Sequence, residues 1–545
     1  MDNLLLDIRY CLRAIFKHPG YTAVAVLTLA IGVGLNSAVF SVVNAYLFRP
    51  LPVRDAEQLV VVATRSSNIE VPYEVSYPNF EDIRNQKDLF ADAIAFANGV
   101  ASLSGDGRAE RIWVEFVSGN YFSMLGVNAA LGRTFAEDEG DINRPKAVAV
   151  LSHKSWQRRF GGDPSAIGKT IKFNGHPFTI IGVAPEEFPG MEAWLELEVF
   201  IPLGAMEILY PGSRQSFANR GDTVFRVVAR MKPGVSVEQV RAALDVLARQ
   251  LQEQHPATNQ GITFAAALES RSRPMIQIAD TFSLIAGVFM GLVSLVLLIA
   301  CANVASLMLA RASSRQKEMA VRVALGATRL RLIRLSLIEG LMLGLLGGLA
   351  GLLLAIWATD WLASIRFSTD APIRFDVTPD WTVFAFSFVV ALLGGIVSAV
   401  APALQASRPD LNESLKEGGR QSSGAAGRQR LRSLLVVSQV AVSLLVLICA
   451  GLFIKSARNA EKTDLGFRVD DLLMFSVDVE LQGYDRAKGE QFYKRLVEQL
   501  NGLPGVRSVS MSRNVPLGYS NSLFDVYIDE RVSAPGDDKD SVFAT

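Results

Sequence analysis

Cysteine and histidine are scarce in this sequence of 545 residues. It has three cysteines, Cys11, Cys301 and Cys449, and its four histidines are scattered without the spacing of metal ligands. The two long polar segments, 49–280 and 455–545, contain no cysteine, which excludes a disulfide framework in them. We therefore expect no metal site, no cofactor and no nucleic-acid partner.

Catalytic motifs are also lacking. We find no nucleophile beside a base and no recognisable pair of carboxylates. The stretch GGDPSAIGKT, residues 161–170, comes within one residue of the phosphate-binding P-loop, but Asp163 stands where the first glycine is required. An apolar alternation and the turn signal Asn174-Gly175 follow, which predicts a hairpin, whereas a P-loop leads into a helix. The sequence therefore predicts no catalytic residues and no nucleotide site here.

Charge is absent from five long apolar runs. Each exceeds the roughly 18 to 20 residues that cross ~30 Å of hydrocarbon. The first run, Pro19–Phe48, is too long for a signal peptide and predicts an uncleaved anchor. We expect five transmembrane helices, the first ending at residue 48 and the others at 281–310, 335–359, 381–407 and 433–454, of which the third extends the uncharged run 340–359 towards its N-terminus.

The remaining charges are distributed unevenly, although the net charge is zero. Segments 311–334 and 408–432 are rich in Lys and Arg. The positive-inside rule then places these segments and the N-terminus in the cytoplasm. Segments 49–280 and 455–545 are predicted to lie on the other side of the membrane.

The exported segment 49–280 is long enough for its own core and mixes strand and helix patterns. EQLVVVATR and TVFRVVARMK indicate strands, and Ser236 with Gln239 forms a capping box for a helix. After the last span a strand, a helix and a strand are predicted again, which suggests an internal repeat. We interpret 455–545 as the incomplete start of a second exported domain, and the chain as a truncated fragment.

Polar and small residues inside the apolar runs have a packing interpretation. Asn36, Asn44 and Asn303 are expected to bond between helices, although a role in contacting substrate stays open. Gly344, Gly347, Gly348 and Gly351 are typical of close helix contacts. Glu339, at the edge of the third run, is interpreted as a hydrated structural carboxylate.

Four stretches together resemble a known family. They are LTLAIGVGLNSAVFSVVNAYLFRPLP, VSGNYFSMLGVNAALGRTFAEDE, VAVLSHKSWQRRFGGDPSAIGKTIKFNGHPFTIIGVAPEEFPG and RQKEMAVRVALGATRLRLIRLSLIEG. They resemble the FtsX/MacB-like permeases of ABC transporters, and among these the duplicated orphan (ADOP) permeases. The implied fold is an α-helical integral membrane protein with α+β periplasmic domains: a MacB-like periplasmic core domain plus an FtsX-like transmembrane bundle, in the bacterial inner membrane.

The resemblance also implies a partner and a docking element. The partner is a separate P-loop ATPase, since the sequence has no fused ATPase domain. The coupling helix within 311–334 would dock on it through Glu318, Arg322, Ala324, Leu325, Gly326 and Ala327. Membrane lipids, a periplasmic adaptor, and a dimer or intramolecular pseudo-dimer in the full-length form are further expected partners.

One stretch of the exported segment is a candidate surface for a substrate or a partner. It contains Trp194, Phe200, Met206 and Tyr210, and it can equally be core. The function implied is mechanotransmission, in which ATP-driven motion in the cytoplasm reaches the exported domains to drive export or release. The alternatives are an envelope signalling scaffold that regulates a periplasmic protein and an ATP-independent receptor.

Overall fold

The computed structural model describes residues 2–49, 51–66, 69–104, 109–192, 194–269, 279–314, 328–364, 377–406, 423–462 and 471–512, the last range without 480 and 482. The chain divides into two compact units. We call them the helical unit, which contains Met1–Arg49, Asp280–Ile365 and Phe375–Leu473, and the sheet unit, which contains the remainder.

The helices of the described residues are numbered in chain order. They are α1 Asp2–Lys17, α2 Pro19–Val43, α3 Tyr77–Arg84, α4 Tyr121–Leu125, α5 His153–Phe160, α6 Met206–Leu209, α7 Arg214–Ala218, α8 Val237–Gln254, α9 Pro256–Asn259, α10 Ala279–Ser314, α11 Arg329–Ser364, α12 Trp381–Ala406, α13 Ser423–Glu461 and α14 Arg486–Asn501. The backbone of α2 continues as a π-helical turn over Asn44–Phe48.

The five predicted membrane spans are confirmed as helices long and apolar enough to cross a bilayer. Within the described residues their bounds are Pro19–Phe48, Phe282–Ala312, Leu330–Ser364, Trp381–Leu404 and Val436–Ala460. The chain is therefore a multi-pass membrane protein. The third span begins earlier than the predicted residue 335, because α11 continues through the basic residues Arg331 and Arg334 before it becomes apolar.

Glycine allows α11 to pack closely between α2 and α12. A Cβ atom on Gly344 would lie 2.5 Å from the Ala391 carbonyl oxygen, and one on Gly348 would lie 2.4 Å from the Ala391 Cβ. On the other side of α11, a Cβ atom on Gly351 would lie 2.8 Å from the Ala30 carbonyl oxygen. These separations leave no room for a side chain, so the glycines set the helix spacing, as small residues do in membranes.

Two of the predicted polar contacts between spans are present. The Asn36 side chain donates to the Val293 carbonyl on α10 at 2.8 Å. The Asn44 side chain donates to the Asp380 carboxylate, just before α12, at 2.9 Å. Both amides are buried, and each links two spans, as the packing interpretation predicts.

The strands of the described residues form one sheet. They are β1 Leu59–Ser66, β2 Ile69–Tyr73, β3 Val75–Ser76, β4 Phe90–Ser104, β5 Ala109–Val117, β6 Leu131–Gly132, β7 Val148–Leu151, β8 Thr170–Phe173, β9 His176–Val183, β10 Val199–Pro202, β11 Thr223–Met231 and β12 Ile262–Leu268. The strand order is β12-β1-β11-β4-β5-β10-β7-β9-β6, with β2 on β1, β3 on β11, and β8 on both β4 and β9.

The sheet separates two apolar cores. One core contains Val60 and Val62 of β1 together with residues of α3 and α8. The other contains Leu59 of the same strand together with Tyr121 and Phe122 of α4. Alternate residues of β1 thus enter opposite cores, so the sheet is buried on both faces.

Several local predictions are confirmed in the sheet unit. β1 and β11 occupy the two predicted strands, and α8 follows a capping box in which Ser236 accepts from the Gln239 backbone and Gln239 accepts from the Ser236 backbone. β8 and β9 pair as a hairpin, with Asn174 and Gly175 both at positive φ. Thr170 therefore begins a strand, which is incompatible with a P-loop helix.

The predicted strands after the last span are wrong in the described residues. Helix α14 is present, but 472–478 and 505–512 form no strand. A strand needs a partner for its backbone hydrogen bonds, and neither segment has one there. Apolar alternation in these segments is therefore not enough, by itself, to predict a strand.

Candidate functional site

A polar cluster joins four helices at one end of the helical unit. Arg311, in the last turn of α10, lies 2.6 Å from the Glu339 carboxylate of α11. Its guanidinium also donates to the Ala14 carbonyl of α1 at 2.9 Å and lies 4.5 Å from the ring centroid of Tyr21 on α2. The Arg311 and Glu339 side chains are 11% and 18% exposed, so water screens this pair only weakly. We call these four residues the Arg311 cluster.

A second set of contacts attaches α1 to α11. The buried carboxylate of Asp7 pairs with Arg334 and lies 3.6 Å from the Arg331 guanidinium. One helical turn further along α1, the Cys11 thiol contacts the Leu335 carbonyl at 3.7 Å. The first turns of α11 therefore hold α1 at two successive positions along its length.

These contacts flank the predicted docking segment. The docking residues Glu318, Arg322, Ala324, Leu325, Gly326 and Ala327 lie outside the described residues. α10 ends at Ser314 and α11 begins at Arg329, so the segment joins the two helices that Arg311 and Glu339 hold together. The sequence interpretation missed this pairing and treated Glu339 as a hydrated carboxylate. The available signal in the sequence was a cation, Arg311, at the end of the second apolar run and an anion, Glu339, at the start of the third.

The predicted surface on the exported segment is not one surface. Phe200 is fully buried in the core that contains Tyr121, in agreement with the core alternative for this residue. Trp194 packs against that same core, whereas Met206 and Tyr210 pack against the core on the other face of the sheet. The Tyr210 hydroxyl accepts from the Val100 backbone at 3.0 Å. Trp194 and Phe200 thus lie on one face of the sheet, and Met206 and Tyr210, which follow β10 in the chain, lie on the other.

A buried polar group on the sheet was also missed. Glu115 of β5 is fully buried, and the Tyr121 hydroxyl donates to its carboxylate at 2.6 Å. Burial raises the pKa of Glu115 to about 8, although the Tyr121 hydrogen bond and the charge of Arg226 lower it. Nearby, Glu192 pairs with Arg226 and accepts from Asn98. Within the described residues we find no group of acidic, histidine or cysteine side chains able to hold a metal ion.

Two family models match this chain in succession. Residues 22–247 match the MacB-like periplasmic core domain, and residues 288–411 match the FtsX-like permease C-terminal domain. The first match includes β1 to β11 of the sheet unit, and the second includes α11 together with Arg311 and Glu339 of the Arg311 cluster. The chain belongs to the FtsX/MacB-like ABC transporter permeases.

Relatives of this permease include exporters. It is 28% identical over 306 residues to the pyoverdine export ATP-binding/permease protein PvdT of Pseudomonas syringae pv. tomato, covering 54% of this chain and 42% of PvdT. It is 21% identical over 435 residues to an ABC transporter permease of Bacillus subtilis, YknZ, covering 76% of this chain and 99% of YknZ. The permease thus matches about two fifths of the length of an ATP-binding/permease relative.

A solved structure is also similar. The crystal structure of the periplasmic region of MacB from Actinobacillus actinomycetemcomitans aligns over 43% of this permease and 94% of that region, at 16% identity and a TM-score of 0.30.

Proposed function

We propose that this permease transmits motion from a separate cytoplasmic ATPase to its sheet unit, and thereby drives export or release of a substrate. The observation that carries the proposal is the Arg311 cluster. It joins both helices that flank residues 315–327 to α1 and α2, so a displacement of that segment acts on three spans together. A packed, discrete contact network of this kind can transmit a displacement.

The proposed orientation follows from charge. The N-terminus and the basic segments 311–334 and 408–432 lie in the cytoplasm, and the sheet unit lies on the opposite side of the bacterial inner membrane. Two relatives support a separate motor. PvdT is named for both an ATP-binding and a permease part, and this chain covers 42% of it, whereas YknZ, which it covers to 99%, is named a permease alone. The adaptor and the dimeric or pseudo-dimeric arrangement expected from the family belong to the same proposal, as does the absence of catalysis by this chain.

The test is capture of the ATPase. The full-length gene is expressed in its own host with a tag, purified in mild detergent, and searched by mass spectrometry for a co-purifying P-loop ATPase. The same purification is repeated with a double variant, Glu318→Lys with Arg322→Glu, which we call the docking variant. The matched control is Glu238→Lys with Arg249→Glu, which makes the same charge changes on the exposed side of α8.

We expect the ATPase to co-purify with the native chain and with the control variant, and to be absent from the preparation of the docking variant. Addition of ATP should then change the hydrogen exchange of the sheet unit. Absence of an ATPase from every folded preparation would contradict the proposal and favour an ATP-independent scaffold or receptor. Equal recovery with all three would place docking outside residues 318 and 322.

A further inference from the structure

Helix α1 has one face that packs against the helical unit. Asp7, Cys11, Ala14 and Ile15 are buried, and their spacing of four, three and one residues places them on one side of the helix. Asp7 and Cys11 contact α11, and the Ala14 carbonyl accepts from Arg311. The orientation of α1 about its own axis is therefore fixed.

The opposite face of α1 carries two parallel stripes. The apolar stripe consists of Leu5, Leu12 and Phe16, and Leu5 and Phe16 are 63% and 79% exposed. The basic stripe consists of Arg9, Arg13 and Lys17, all exposed and spaced four residues apart. Residues four apart lie one above the other on a helix, so three cations line one side of the apolar stripe.

The position of this face relative to the first span identifies what covers it. α1 ends at Lys17, and the first span begins at Pro19, so α1 lies where the hydrocarbon begins. The exposed apolar surface continues onto α2 through Leu27 and Ile31, which face lipid in a membrane span. Large apolar residues beside a row of Lys and Arg are typical of helices that lie in the membrane interface.

We propose that the outward face of α1 is a binding surface for anionic lipids. Leu5, Leu12 and Phe16 enter the boundary between headgroups and acyl chains. Arg9, Arg13 and Lys17 pair with headgroup phosphates, and only an anionic lipid keeps a net negative charge, because in a zwitterionic lipid the headgroup cation offsets the phosphate. A zwitterionic lipid satisfies the apolar stripe but gains less from the three cations, since attraction to the basic stripe depends on net negative charge.

The test maps lipid contacts on the full-length chain. The protein is placed in nanodiscs of phosphatidylcholine that contain a minor share of a photoactivatable lipid, either phosphatidylglycerol or phosphatidylcholine. After illumination, lipid attached to peptides from residues 5–17 is quantified by mass spectrometry. We expect phosphatidylglycerol to label these peptides more strongly, and we expect salt to reduce the difference.

Neutralising variants measure the role of the cations. Each cation contributes about fivefold to the preference for the anionic lipid. Arg13→Gln should therefore lower the labelling ratio about fivefold, and combining it with Arg9→Gln and Lys17→Gln should remove most of the preference. Arg9→Lys with Arg13→Lys keeps the charge and should keep the ratio. Lys455→Gln with Arg458→Gln removes exposed cations from α13 and should not change labelling of α1.

Two results would overturn the proposal. Equal labelling by both lipids in the native protein would show that headgroup charge is not recognised. Absence of labelling by either lipid, while peptides of the membrane spans are labelled, would show that this face does not contact lipid. If the triple variant does not fold, the single variant Arg13→Gln and the charge-retaining variant still decide between these outcomes.

Discussion

The guanidinium of Arg311 and the carboxylate of Glu339 lie 2.6 Å apart and connect the end of α10 to α11. Both side chains are largely buried, so removal of one partner leaves a charge with little access to water. The same guanidinium holds α1 through the Ala14 carbonyl. One residue thus fixes the spacing of two spans and the position of a third helix.

Replacement of Arg311 should destabilise the helical unit. Arg311→Met is expected to cost about 1–3 kcal/mol, less than for a fully buried pair, because both side chains retain some exposure. The double variant Arg311→Met with Glu339→Leu should lose less stability than the sum of the two single variants, because it leaves no charge uncompensated. The measurement is the thermal midpoint in detergent. Lys455→Met, on an exposed residue of α13, is the control, and strict additivity would contradict a direct pair.

Close packing of α11 against α12 predicts an unusual response to alanine. Gly344→Ala should lower the thermal midpoint, because its Cβ would lie 2.5 Å from a backbone oxygen and overpacking costs about 1–3 kcal/mol. Gly291→Ala on α10 is the matched control, since a Cβ there meets nothing within 4 Å. The control should be neutral or slightly stabilising, because alanine favours helix by about 1 kcal/mol over glycine. Equal effects at both positions would show that α11 and α12 are further apart than described.

Protonation of Glu115 predicts a pH dependence in the sheet unit. Its pKa rises from 4.5 to about 8 on folding, because burial disfavours the carboxylate. Between these values the folded state holds a proton that the unfolded state releases. The free energy of unfolding therefore falls as pH rises, by roughly 1.4 kcal/mol per pH unit, and levels off above the folded pKa.

The substitution Glu115→Gln removes the titrating carboxyl group and should therefore flatten the pH dependence of the free energy of unfolding. The measurement is hydrogen exchange at the backbone amides of β5 at about pH 6 and about pH 8, corrected for intrinsic rates. Glu110→Gln is the control on the same strand, because pairing with Arg159 lowers the pKa of Glu110 and moves its titration to acidic pH. An unchanged slope in Glu115→Gln would mean that Glu115 is ionised in the folded protein.

The P-loop-like stretch should not bind nucleotide. The Lys169 ammonium lies 3.0 Å from the Ser165 hydroxyl and 5.9 Å from the Phe160 ring centroid, and its neighbour Thr170 begins β8. Lys169→Ala should therefore leave the ATP hydrolysis of any co-purified complex unchanged. In the absence of an ATPase, a fluorescent ATP analogue should show no specific binding to the native chain or to the variant. A specific loss in the variant would contradict this interpretation.

Periodicity and length predicted the elements whose stability is local. Five uncharged runs predicted five spans because length and apolarity alone decide whether a helix can cross a membrane. The capping box predicted the start of α8, and Asn174-Gly175 predicted the β8–β9 turn, because these signals act within a few residues.

Long-range contacts could not be predicted in this way. The opposite charges of Arg311 and Glu339 at the ends of two apolar runs permit a pair, but whether they meet depends on how α10 and α11 pack. Phe200 shows the same limit, because an aromatic residue in a short strand has the same sequence pattern whether it faces solvent or a second core. Segments 472–478 and 505–512 have strand composition but no strand partner within the part of the chain that the structure describes.

The lengths of α10 and α11 have a mechanical consequence. Each helix has 36 residues, which corresponds to ~54 Å at 1.5 Å per residue, well beyond the ~30 Å of hydrocarbon. A stiff rod of this length that tilts by about 5° moves one end by ~5 Å relative to the other, close to one helical turn. In the proposed function, helices of this length would convert a small angular change into a large displacement without bending within the bilayer.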